Sequence, residues 1–220
     1  MSAFDAIREA VAQAYRRCGE LGLVASASGN VSARVPGRDD LFAITPSRIP
    51  FFRVRAGDVL VVDFEIEPVE GEGIPSSESL THLAVYRARP DVGAVVHTHP
   101  VYASAFAVAG RPIPPILDEQ VVLIGGTVEV ADYAMAGTED LARQAIAALG
   151  ERNAVLLRHH GALACGKDLD EALAVAELLE RVAQIYVLSL GLGQAPALPA
   201  DVVATEQQLF RMSRPKGTNA

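Results

Sequence analysis

The 220-residue chain has no tryptophan, only two cysteines and only 5% aromatic residues, and its charge leans to one sign, a net −8 at pH 7. Each scarcity excludes something. Cys18 and Cys165 are too few and too far apart for a disulfide framework, so two reduced thiols in a cytosolic protein are expected. Scattered acidic side chains suit nucleic acid poorly, because its phosphates need a basic stripe. A small anion can still be met by a locally basic cleft. No apolar stretch approaches the ~18 residues of a membrane-spanning helix, and the opening Met1-Ser2-Ala3-Phe4-Asp5-Ala6 lacks a basic-then-apolar signal segment. The expectation is a soluble cytoplasmic protein with no nucleic-acid or membrane partner. Apolar residues are plentiful at 50%, enough for a full core in one domain spanning residues 1–220.

Phe4, Ile7, Val11, Ala14, Cys18 and Leu21 recur at helical spacing, so residues 2–21 read as an amphipathic helix. Ser2 with Asp5 would cap it and Gly22 would end it. A small polar loop, Ala25 to Asn30, precedes short strands over Val31–Val35 and Leu41–Ile44, and Val59–Phe64 is another strand. After the loop Gly71–Pro75, a helix is expected from Ser76 to just before Pro90. Ala94-Val95-Val96 opens a buried strand, and Pro100 and Gly110 bracket a helix. Thr138–Leu149 reads as a helix with a Thr cap. Val155–Leu157 and Ala162–Cys165 read as strands about a His160-Gly161 turn. Asp168–Leu190 is the longest helix, with Asp168 and Glu171 as a capping box and Gly191 as its stop. The tail beyond Pro196 shows no clear period. Mixed helices and strands without a dividing linker point to one layered α/β domain whose strand order the pattern does not reveal.

Four of the five histidines fall in two clusters. Side chains alternate along a strand, so His97 and His99 of Val96-His97-Thr98-His99 project from one face at a spacing that can share a metal ion. The second cluster, Leu157-Arg158-His159-His160-Gly161, also follows an apolar strand, and only one of His159 and His160 can turn to the same site. Zinc held by three imidazoles keeps a coordination position open, the catalytic arrangement. His82, inside a predicted helix, reads as a surface or packing residue.

Ser76-Ser77-Glu78 lies at a predicted helix start, where free backbone N–H groups and hydroxyls can hold an anion or simply cap the helix. Glu78 reads either as a first-turn acid favoured by the helix dipole or as a general base beside a metal. Ser28-Gly29-Asn30 can cradle a phosphate or make a plain turn. Thr45-Pro46-Ser47-Arg48 adds two hydroxyls and a guanidinium, a group suited to phosphate or carboxylate.

Taken in order, Gly29-Asn30-Val31-Ser32, Ile44-Thr45-Pro46-Ser47, Pro75-Ser76-Ser77-Glu78, Val95-Val96-His97-Thr98-His99 and His159-His160-Gly161 resemble the motifs of the class II aldolase/adducin family. The likeness runs from the first helix to about Leu190. Each piece is weak alone, and five in this order are specific. The resemblance implies a three-layer α/β/α sandwich with a mainly antiparallel central sheet. It implies His97, His99 and His160 as ligands of Zn2+ (the same donors accept Co2+ or Mn2+); of the histidine pair, the one before glycine matches. It implies Glu78 as the catalytic acid/base, and Gly29, Asn30, Ser47, Ser76 and Ser77 as the grip on a substrate phosphate. It further implies a homotetramer with active sites at subunit interfaces.

The implied activity is that of a zinc-dependent lyase, an aldolase that cleaves a phosphorylated ketose to dihydroxyacetone phosphate and an aldehyde by way of an enediolate. Three departures bear on the substrate. Arg48 stands where the family's aldolases have glycine, and it is counted here among the substrate contacts. The loop Ile116-Leu117-Asp118-Glu119-Gln120 lacks their tyrosine, and no tyrosine follows Tyr186 in the tail. A family decarboxylase acting on a keto or hydroxy acid is the rival reading, since Arg48 can hold a carboxylate. A pentulose-phosphate epimerase or a non-catalytic adducin-like module fits less well, the latter because all three histidines and Glu78 are present.

Overall fold

Alternation along the strands decides the layering of this computed structural model, which describes residues 2–214. In β5 (Ala94–Thr98), Ala94 and Val96 enter one buried cluster while Val95 enters another. The same division runs through β2 (Arg38–Ile44), where Leu41 and Ala43 go one way and Phe42 and Ile44 the other. It recurs in β7 (Ala154–Leu157) and β8 (Gly161–Gly166). A sheet apolar on both faces must be covered on both. Helices α1 (Asp5–Glu20), α3 (Val101–Ala109) and α6 (Leu169–Gly191) cover one side, and α2 (Ser79–Ala88) and α5 (Glu139–Leu149) the other. The three-layer α/β/α expectation is met.

The eight strands form one sheet in the order β4-β3-β2-β1-β5-β8-β7-β6, with β1 at Asn30–Val35, β3 at Leu60–Asp63, β4 at Pro68–Glu70 and β6 at Val130–Ala131. All pairings are antiparallel except β6 with β7 at one edge. Central β5 lies between β1 and β8, so the ends of these three strands define the place where the site forms. Cys18 and Cys165 are free and buried in separate clusters, and burial pushes both thiols up to about 12. No helix among the described residues is long and apolar enough to cross a membrane.

Several boundaries differ from the sequence reading. The second helix begins at Ser79 rather than Ser76, because the Ser76 backbone N–H donates to the Thr45 carbonyl and is held out of the helix. Asp168 caps α6 by accepting from Glu171 N at 2.9 Å, but the Glu171 side chain takes the Lys167 N–H, so the box does not close as drawn. The residues after Pro115 are only partly loop: α4 runs Asp118–Ile124. The aperiodic tail contains α7, Ala200–Met212.

Candidate active site

The histidines are placed by strand ends. His97 sits in β5, directly opposite Asn30 of β1 and Leu163 of β8, and is 1% exposed. His99 lies one residue past the strand, held by its backbone N–H to the Leu23 carbonyl. His160 occupies the turn between β7 and β8. The chain reverses there through His159, whose φ of 55° is left-handed. Gly161 is required by space, since a Cβ would stand 2.4 Å from the Thr98 carbonyl oxygen and 2.6 Å from the His99 ring. The glycine after the histidine pair therefore lets His160 approach His99.

The three rings meet at centroid separations of 4.7, 4.7 and 5.0 Å, and one nitrogen from each lies within 4.8 Å of the others. His159 does not join them and packs edge-on against Tyr133. His97 Nδ1 donates to the Ala162 carbonyl at 2.9 Å, which turns Nε2 toward the centre. Burial, together with His97 and His160, pushes His99 down to about 4, and burial and His97 lower His160 as well. These shifts favour the neutral imidazole, the form that can act as a ligand. This donor set fits a divalent transition metal such as zinc.

Glu78 lies in the middle of the group. As the residue preceding α2 it is 7% exposed, with Oε2 at 2.8 Å from His97 Nε2 and Oε1 at 3.2 Å from His160 Nε2. The Asn30 amide donates to Oε2 at 3.1 Å. Burial alone would raise this carboxyl, but His97, His160 and Asn30 more than offset it and hold it well below the usual carboxylate range. Glu78 is therefore not a solvated first-turn acid.

A cleft of about 230 Å³ opens above these groups, lined by Gly29, Asn30, Ser47, Arg48, Ser76 and Ser77 together with Glu78, His99 and His160. Every candidate residue read from the sequence lines it except His97, which forms the buried floor. Gly29 is needed at φ 69°, where a Cβ would meet the His97 carbonyl oxygen at 2.6 Å. The serine loops are tied by Ser47 N to the Ile74 carbonyl, Ser76 N to the Thr45 carbonyl and a Pro46–Pro75 bridge. Arg48 is itself left-handed, with φ 66°. A left-handed backbone of this kind is one that glycine adopts more readily than arginine.

The sequence reading missed what lies beneath. Of the two readings of His82, surface or packing, the structure gives packing: it is fully buried, with Nδ1 2.6 Å from Ser32 Oγ, which also lies 2.7 Å from the Tyr86 hydroxyl, a contact the sequence reading did not indicate. The signal was present in the four-residue spacing of Glu78, His82 and Tyr86 and the alternation of Asn30 and Ser32.

Comparison with known proteins agrees with this geometry. Residues 9–187 match the family model described as the class II aldolase and adducin N-terminal domain. The chain is 36% identical to an L-fuculose phosphate aldolase of Escherichia coli over 192 residues, 87% of each protein. It is also 36% identical to a 5-methylthioribulose-1-phosphate/5-deoxyribulose-1-phosphate aldolase of Rhodospirillum rubrum over 206 residues, 94% of this chain and 91% of the relative. An L-fuculose 1-phosphate aldolase structure superposes with a TM-score of 0.89 at 34% identity, covering 96% of this chain and 98% of the other. The enzyme of that name from Thermus thermophilus gives 0.74 at 33% identity, covering 88% and 100%. With motifs, fold and relatives in agreement along nearly its whole length, the chain belongs to the class II aldolase/adducin family and is a class II aldolase, a carbon–carbon lyase.

Proposed function

We propose that the protein is a zinc-dependent aldolase that cleaves a ketose 1-phosphate to dihydroxyacetone phosphate and an aldehyde. The observation that carries this reading is the Glu78 carboxylate, within 3.2 Å of two of three converging imidazoles at the floor of the hydroxyl-lined cleft. His97, His99 and His160 would hold the ion, which when bound supplies Lewis-acid polarisation of a substrate carbonyl. Gly29, Asn30, Ser47, Arg48, Ser76 and Ser77 bind the phosphate and so orient the reacting end. Glu78 removes a proton from the carbon next to the carbonyl in the synthetic direction and returns it in cleavage. Ketose 1-phosphates are favoured because the relatives are named for fuculose, methylthioribulose and deoxyribulose phosphates. The fourfold assembly implied by the motifs belongs to the same proposal; exposed Ile74, Tyr133 and Met135 flank residues of the cleft, and a monomer in sedimentation equilibrium would remove that part.

The test is metal analysis of the purified protein with a product assay on ketose 1-phosphates and β-keto acids. About one zinc per chain and release of dihydroxyacetone phosphate support the aldolase. Arg48 in the cleft favours one rival, a decarboxylase of a keto or hydroxy acid; carbon dioxide release without aldehyde would establish that instead.

A further inference from the structure

Glu78, which precedes α2, and His82 and Tyr86 within it are spaced by four residues. Asn30, Ser32 and Arg34 alternate along β1 and share one face. The two rows meet rung by rung. Asn30 donates to Glu78 Oε2, Ser32 Oγ sits 2.6 Å from His82 Nδ1 and 2.7 Å from the Tyr86 hydroxyl, and Arg34 Nη2 donates to the Tyr86 carbonyl at 2.6 Å. Ser32, His82 and Tyr86 have essentially no solvent contact. His82 Nε2 finds no partner among the described residues, so the ring's polar anchoring rests on Ser32.

Such groups are costly to bury, and around them α2 is already held by apolar contacts of Leu83, Val85, Phe42 and Val95. What apolar packing does not supply is direction. It tolerates small slips of a helix along its axis, whereas hydrogen bonds of this length do not. The rung that faces the cleft is Glu78.

We infer that Ser32, with His82 and Tyr86, is a positioning set: it fixes the register of α2 on β1 and thereby holds the Glu78 carboxylate at the three imidazoles. The role rests on Glu78 acting as the base. It separates positioning of the carboxylate from positioning of the imidazoles, which hang from β5 and the β7–β8 turn.

The experiment compares the zinc-loaded full chain with S32A, Y86F and E78Q, measuring kcat and KM on a ketose 1-phosphate, zinc affinity by chelator competition, and hydrogen exchange of α2. S32A is expected to lower kcat at least about tenfold, with KM and zinc affinity within about threefold of the parent and faster exchange confined to α2, where His82 and Tyr86 lie. Y86F, which leaves the Ser32–His82 contact, gives the same pattern at smaller amplitude. Unchanged kcat in S32A, or a parallel loss of zinc affinity, KM and kcat, overturns the inference, the first leaving only packing and the second general loosening. Unaltered α2 exchange in S32A overturns it without any need of turnover. Full activity in E78Q would instead remove the base assignment on which it rests.

Discussion

Asn30 and His97 stand directly opposite each other in the β1–β5 pair, and both reach the same oxygen of Glu78, at 3.1 and 2.8 Å. The strand register therefore supplies the carboxylate with one amide donor and one imidazole. Hydrogen bonds to a charged group are worth about 1.5–3 kcal/mol. Replacing Asn30 with alanine should lower kcat by roughly 10- to 100-fold while bound zinc persists, because the imidazoles are placed independently. Replacing it with aspartate should be worse, since two carboxylates would then meet. An N30D enzyme with parental turnover would show that the contact is not used.

The converging imidazoles predict a strong link between metal and stability. Three histidine nitrogens from two separate parts of the sheet meet only in the folded chain, so zinc binds the native state preferentially. At a hundredfold excess over its Kd, zinc should add about 2.7 kcal/mol, raising Tm by roughly 5–10 °C for a chain of this size. Thermal unfolding with and without a chelator checks this. H99A should abolish the shift, and a shift that survives in H99A would place the metal elsewhere.

Arg48 carries opposing expectations. Its φ of 66° is left-handed, a conformation that costs a non-glycine residue about 1 kcal/mol, and its side chain supplies the cleft's guanidinium. R48G should thus unfold up to a few degrees higher while binding inorganic phosphate at least about tenfold more weakly. Calorimetry gives both numbers. A lower Tm with phosphate binding intact would make Arg48 a structural residue.

His97 and His99 were legible because period-two alternation is a local rule, whereas strand alternation left His159 and His160 open and only the family resemblance, through the glycine that follows, pointed to His160. Glu78 was legible as a residue but not in its setting. Local pattern placed it in a first helical turn, and a contact from distant Thr45 holds Ser76 out of that turn. Strand order was invisible because every crossover depends on long-range pairing. Helix α7 escaped notice since Phe210 alone among its residues is buried, which leaves no apolar stripe to count, and seven-residue α4 is too short to show a period. The Ser32–His82–Tyr86 contacts needed one further fact, that α2 lies on β1. Without it each residue reads as ordinary.

His82 also predicts how stability should respond to acid. Burial, with a smaller push from His97 and an opposing pull from Glu78, lowers it from an ordinary 6.5 to about 3. Ser32 and Tyr86, the other groups it meets, are uncharged. Between these two values the unfolded chain binds a proton that the native chain refuses, so stability is full above pH 6.5 and falls as pH drops toward 3. One such group contributes a slope of up to about 1.4 kcal/mol per pH unit. His99 and His160 are lowered too and act in the same direction, so the decisive quantity is a difference. In denaturant titrations of metal-free protein, H82N should be less stable than the parent at pH 7.5, and the gap should narrow as pH falls from about 6.5 to 4.5. A gap constant across that range would mean that His82 is protonated in the native protein, and that its ring donates to Ser32 as a cation rather than standing neutral beneath the site.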